Sequence, residues 1–147
     1  MPRGPALATL AAAAALLGCA GHSPGTLGVR DGRLSPCPDS PNCVSSQETG
    51  ERHSIAPLPV VGDPATAQAR LTAAIEARGD ATIVSSSPDY LRVEFHTRLG
   101  FVDDAEFWLD RAARVIHVRS GSRVGYSDFG KNRSRIEELR KALLGSG

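Results

Sequence analysis

The residues best equipped for chemistry stand together in residues 36–47, PCPDSPNCVSSQ. Cys37 and Cys43 sit there with five residues between them, and His53 follows. Three chemistries use these residue types: a disulfide clip, part of a metal site, or a nucleophilic thiol with His53 as its base. Zinc sites favour cysteines two to four residues apart and four ligands, and here only His53 is near. A catalytic thiol needs a base held against it, and sequence proximity alone does not place His53 there. The compartment in which the chain resides bears on which of the three is expected.

The start of the chain speaks to that. Arg3 precedes an apolar run, 6–17, that falls short of the roughly 20 residues a spanning helix needs. A basic start, a short apolar middle and small residues at the end are the layout of an export signal. Leu16-Leu17-Gly18-Cys19 resembles a bacterial lipobox. Residues 1–18 are therefore expected to be a lipoprotein signal peptide. Cys19 is the expected lipidation site, its thiol taking a diacylglyceryl group and its amine a palmitate-class chain. Ala20 follows, not aspartate, and by analogy this points to the outer membrane, facing the periplasm. The expected localisation is exported and lipid-anchored to the cell envelope, with the membrane as a partner through Cys19. With Cys19 consumed in an oxidising compartment, Cys37 and Cys43 remain as an even pair, which favours a disulfide over the metal and thiol alternatives. The clip would present Asn42, Ser45, Ser46 and Gln47.

Elements must then be found to carry this segment. Residues 19–35 lack any sustained period and are rich in glycine and small polar residues, so they read as a flexible tether. Residues 36–145 suffice for one globular domain. Residues 53–61 read as an irregular edge strand, because Pro57 and Pro59 cannot donate to a ladder. Asp63-Pro64 opens a helix that ends near Gly79. Strands are expected over 81–87, 90–98, 101–110 and 114–121, from period-two alternation and turn residues. A closing helix covers about 132–144. It is capped either through the Ser134/Glu137 spacing or, one turn earlier, by Asp128 or Asn132. The expected fold class is α+β: a two-layer sandwich with a mainly antiparallel sheet of four to five strands and two helices on one face.

Pairing the strands across their turns sets Phe107 opposite Ile116, Glu106 opposite His117, Asp104 opposite Arg119 and His96 opposite Asp104. The face away from the helices then carries Arg92, Glu94, His96, Asp104, Glu106, Trp108, His117 and Arg119. This is either a solvated face laced with ion pairs or a concave polar surface for a ligand. His96, His117, Asp104 and Glu106 lack the short spacing of a metal set, so no metal or other cofactor is expected. The loop before the last helix is different. It gathers Arg119, Ser122, Arg123, Asp128, Asn132 and Arg133 with three punctuating glycines near a helix start. Such donors suit an anion, although a structural loop tied to sheet and helix uses the same residues.

The 34–47 stretch LSPCPDSPNCVSSQ, followed by FVDDAEFWLD and IHVRSGSRVGYSDFGKNRSRIEELR, resembles the domain-of-unknown-function family 1499 over about 34–144. The resemblance implies an exported, membrane-attached bacterial protein. It implies no reaction and transfers no catalytic residues. With Arg3 removed, acidic and basic residues balance, which argues against nucleic acid as a partner. The expected function is a non-catalytic envelope binding module for a partner protein or a small anionic ligand. Its site would join the cysteine knuckle to the Arg/Ser/Asn loop. An envelope hydrolase using Asp103, Asp104, Glu106 or His96, and a structural spacer, are the alternatives.

Overall fold

A computed structural model of the chain describes residues 20–145, so the expected signal segment 1–18 and Cys19 lie outside the described residues. The elements are β1 (Cys43–Ser45), β2 (Leu58–Pro59), α1 (Pro64–Glu76), β3 (Ala81–Ser87), β4 (Tyr90–His96), β5 (Val102–Asp110), β6 (Val115–Ser122) and α2 (Lys131–Gly145). The α+β reading holds: an open antiparallel sheet in the order β1-β6-β5-β4-β3, with β2 also paired to β6, and two helices. The sheet has six strands where four to five were expected. The addition is β1, whose three residues carry no alternation of their own and become a strand only by pairing with β6. The expected 53–61 strand shrinks to β2, since two prolines leave few N–H groups to pair.

The helices begin where side chains cap them. Asp63 accepts from Thr66 N at 3.0 Å and Pro64 takes the first helical position. At α2 the cap is Asp128, not the Ser134/Glu137 pair: its carboxylate accepts from Gly130 N and Asn132 N at 3.0 and 2.8 Å. Leu71 and Ile75 of α1 and Ile136 and Leu139 of α2 meet Leu91, Val93, Phe95, Phe107, Ile116 and Val118 in one apolar core. Full burial of each such side chain stabilises by about 1.5–3 kcal/mol.

The strand faces fall where alternation puts them, but each hairpin register is displaced by two residues. Phe107 pairs with Val118, Glu106 with Arg119, Trp108 with His117, and Glu94 with Asp104. For β5–β6 the reason lies in the turn. It takes in residues 111–114, Arg114 adopts φ 55°, and Asp110 caps it by accepting from Ala113 N. A shift of two preserves the side-chain period, so the core assignment survives a wrong register.

Cys37 and Cys43 form the expected disulfide, with Cα atoms 5.7 Å apart. The bridge lies on β6 at Gly121, where a Cβ would stand 3.2 Å from Cys43 Sγ. Replacing both cysteines with serine should lower the unfolding free energy by about 2 kcal/mol, the low end for a short closed loop. The test is a urea titration beside the disulfide-bonded protein. An unchanged midpoint would mean that β1 holds its place on β6 without the clip.

Candidate functional site

The cysteine knuckle and the loop between β6 and α2 do come together, on the helix side of the sheet. Asn132, fully buried in the first turn of α2, joins them. Ser120 Oγ donates to Asn132 Oδ1 at 2.6 Å, and Asn132 Nδ2 reaches Ser122 Oγ at 3.0 Å, Asp128 Oδ2 at 2.8 Å and Asn42 O at 3.3 Å. Ser122 N donates to Asn42 O, and Asn42 Nδ2 donates to Gly125 O at 2.6 Å. Arg135 extends the network, donating to Asn132 Oδ1 and to Asp103 Oδ2, with its guanidinium 4.4 Å from the Phe95 ring centroid. Asp103 is thus buried, and its partner is Arg135.

The remaining expected site residues also have internal partners. Ser45 is buried and its Oγ accepts from Gln47 N. Ser46 Oγ accepts from Val118 N and lies 3.1 Å from His117 Nδ1. The Gln47 amide accepts from Leu34 N and donates to Gly32 O. Arg133 donates to Ser54 O at 2.8 Å, holding α2 against the 50–55 loop. Asn42, Ser122, Asp128 and Asn132 therefore share one place, but they bond chiefly to one another.

The outer sheet face departs most from expectation. Asp104, Glu106 and Arg119 are 1%, 0% and 6% exposed. A solvated face is excluded, because residues 20–35, all within the stretch read from the sequence as a tether, lie across it together with Pro36. Gly28 N and Tyr90 Oη donate to Glu106 Oε1 at 2.6 and 2.8 Å, while Arg92 donates to Ser23 Oγ. Gly32 sits over the Trp108 ring. Arg123 binds both Asp104 oxygens and Glu94, and these hydrogen bonds, Asp104 first, raise its pKa well above the ordinary arginine value. Arg119 has only Pro36 O, at 3.5 Å, and burial pushes its pKa down. Glu106 Oε2 and Arg119 Nε have no hydrogen-bond partner among the described residues. Among the described residues no cluster of His, Cys, Asp or Glu is arranged for a metal.

Sequence reasoning missed a cleft of about 590 Å³ at the end of the sheet where β4 turns into β5 and β6 leads to α2. Its acids are committed: Asp80 to Arg78, Asp103 to Arg135, and Asp128 to the α2 cap. Its cations Arg98 and Lys131 have no ion-pair partner among the described residues, and His96 is exposed beside them. Four of the seven exposed large apolar side chains stand at this end: Leu99 (79%), Phe101 (39%), Tyr126 (72%) and Phe129 (95%). Phe129 also holds φ 53°. For a non-glycine residue that conformation costs about 1–2 kcal/mol, and an exposed ring recovers nothing inside the fold. The available signal was Tyr126 and Phe129 standing among glycine, serine and aspartate, where a structural loop needs no aromatic ring.

Two outcomes follow. Asn132→Ala should cost about 3 kcal/mol in urea unfolding, because it strips partners from buried Ser120 and from Arg135, whereas Arg98→Ala should stay within about 0.5 kcal/mol. A tolerated Asn132→Ala would remove the hub from its central place. The second concerns His117, stacked on Trp108 at 5.3 Å, whose pKa burial pushes below the ordinary 6.5. The unfolded chain then takes up this proton more readily than the folded one. The contribution is fully present above pH 6.5 and is lost as pH falls through the lower folded value. NMR titration of the His117 ring checks the direction, and His117→Gln should flatten the slope of stability against pH over that interval.

A search of curated proteins found nothing similar to the chain, and neither did a search of solved structures. A family model described as "Protein of unknown function (DUF1499)" matches residues 33–143, from the bridge before the knuckle to the last buried leucine of α2. With most of its length matched by that model, this chain belongs to the DUF1499 family.

Proposed function

We propose that this protein is a cell-envelope lipoprotein, acylated at Cys19, whose domain is a non-catalytic module binding a small anionic ligand in the cleft between the β4–β5 turn and the β6–α2 loop. The observation that carries the reading is the charge balance there. Every cleft carboxylate is engaged within the chain, while Arg98 and Lys131 have no ion-pair partner among the described residues. An unengaged cation pair beside apolar surface favours an anion with an apolar part. The carboxylates considered for acid–base chemistry support binding over catalysis: Asp103 is held by Arg135, Asp104 by Arg123, and Glu106 by Tyr90 and Gly28. The site moves away from Asn42, Ser45 and Arg123, whose side chains are engaged with Gly125 O, Gln47 N and Asp104.

Calorimetric titration with hexyl phosphate tests the ligand class, with inorganic phosphate as the comparison lacking an apolar part. Saturable binding of hexyl phosphate is expected. It should weaken about tenfold in Arg98→Ala and again in Lys131→Ala, as loss of one charged hydrogen bond implies, with melting temperatures unchanged. No saturable heat, or affinity indifferent to both substitutions, would overturn the reading. Intact mass of the N-terminal peptide tests the anchor separately, since Cys19→Ser should abolish the added acyl mass.

A further inference from the structure

We infer that the apolar loop tips around the cleft, Leu99, Phe101, Tyr126 and Phe129, dock on an anionic lipid bilayer and seat the domain directly on the membrane. This rests on the proposed acylation of Cys19, and it replaces a domain held off at the end of a free tether. Two observations choose the membrane as the occupant of this patch. The first is where the described chain begins. Gly21 lies against Arg123 and Val124, close enough that a Cβ on Gly21 would stand 2.8 Å from Val124 Cγ1. Val124 lines the cleft with Leu99, Phe101 and Phe129. Two peptide units reach at most about 7 Å, so a bilayer anchored through acylation at position 19 is tied within that distance of Gly21 and its contact with Val124 of the cleft. The second is composition. Exposed aromatic and aliphatic side chains flanked by Arg98 and Lys131, neither of them ion-paired among the described residues, match the headgroup boundary of an anionic membrane, where apolar groups enter and cations stay at the surface. The left-handed backbone at Phe129 fits the same use: it accompanies an aromatic ring that is 95% exposed. Docked this way, the cleft opens toward lipid headgroups, which makes an anionic headgroup the class of ligand it meets first.

The test uses the full mature protein with its native N-terminus, reconstituted into vesicles of phosphatidylcholine and phosphatidylglycerol at three to one. A single indole is placed by Phe129→Trp or, as control, by Val61→Trp, each in a Trp108→Phe background. Val61 is 47% exposed and follows β2, which pairs with the Val115 end of β6, away from the cleft. Both positions are exposed, so matching thermal melts should confirm the fold. Acyl chains brominated near the headgroup should quench the indole at position 129 several-fold more than that at position 61, and acrylamide should do the reverse. Pure phosphatidylcholine, or Arg98→Ala with Lys131→Ala, should reduce the bromine effect. Equal bromine quenching at both positions would overturn the inference. So would an indole at position 129 shielded from acrylamide without bromine quenching, since a protein partner or a second copy would then cover the patch. Acyl mass at Cys19 with a water-exposed indole at position 129 defeats the docking face and leaves the anchor standing. Bromine quenching at position 129 without acyl mass defeats the anchor and leaves the face.

Discussion

The amide of Asn132 is the junction on which this architecture turns. It is fully buried, and within reach of its two polar atoms lie β6 through Ser120 and Ser122, the α2 cap through Asp128, the knuckle through the Asn42 carbonyl, and Arg135. A buried amide left without partners costs more than an apolar residue of the same shape, so the arrangement is stable only when every partner is in place. The disulfide and Gly121 then set the distance between knuckle and sheet, and Asn42 carries that constraint to Gly125 and the loop. The cleft is what remains open when this loop is fixed on one side and the β4–β5 turn on the other.

The outer face follows the same logic with charges in place of amides. An antiparallel sheet ordinarily leaves one face to water. Here β5 is buried from Val102 through Phe107, with helices on one side and residues 20–36 on the other. Its alternating carboxylates are offset by Arg123 and Arg92, by Tyr90, and by a backbone N–H that the covering segment supplies. Gly28 and Gly32 let that segment lie close to Glu106 and Trp108. Burial without full pairing is expensive, and Glu106 Oε2 and Arg119 Nε show where the pairing is incomplete.

Much of this was legible in the residues. Alternation through Leu91, Val93 and Phe95 gave the core face, Asp63-Pro64 the start of α1, and the parity of the cysteines left after the expected lipidation site the bridge. Features that depend on contacts distant in sequence were not legible. β1 exists because β6 lies beside it, and three residues cannot announce that. The β5–β6 register hinged on a left-handed Arg114, which nothing in its residue type demands. The covering segment read as a tether because its bonds run through backbone groups and short side chains, Gly28 and Ser23, which carry no hydrophobic period. The Arg/Ser/Asn constellation was seen, and its convergence with the knuckle was anticipated. Its role was inverted: residues rich in donors found acceptors inside the chain, whereas the uncommitted groups were two plain surface cations and a few apolar tips.

The two ends of the sheet make that inversion intelligible. At the β5–β6 turn the surface is polar and self-satisfied: Arg111 pairs with Asp89, Arg114 donates to Gly62 O, and Asp110 caps the turn. At the opposite end two loops leave Arg98 and Lys131 without an ion pair among the described residues and place rings in water. Left-handed backbone occurs at both ends, at Arg114 and at Phe129, so strain does not separate them; the side chains do. What the second end displays is the complement of an anionic surface with an apolar interior, and that complementarity, not a cost of folding, is what the proposed membrane and ligand contacts rest on.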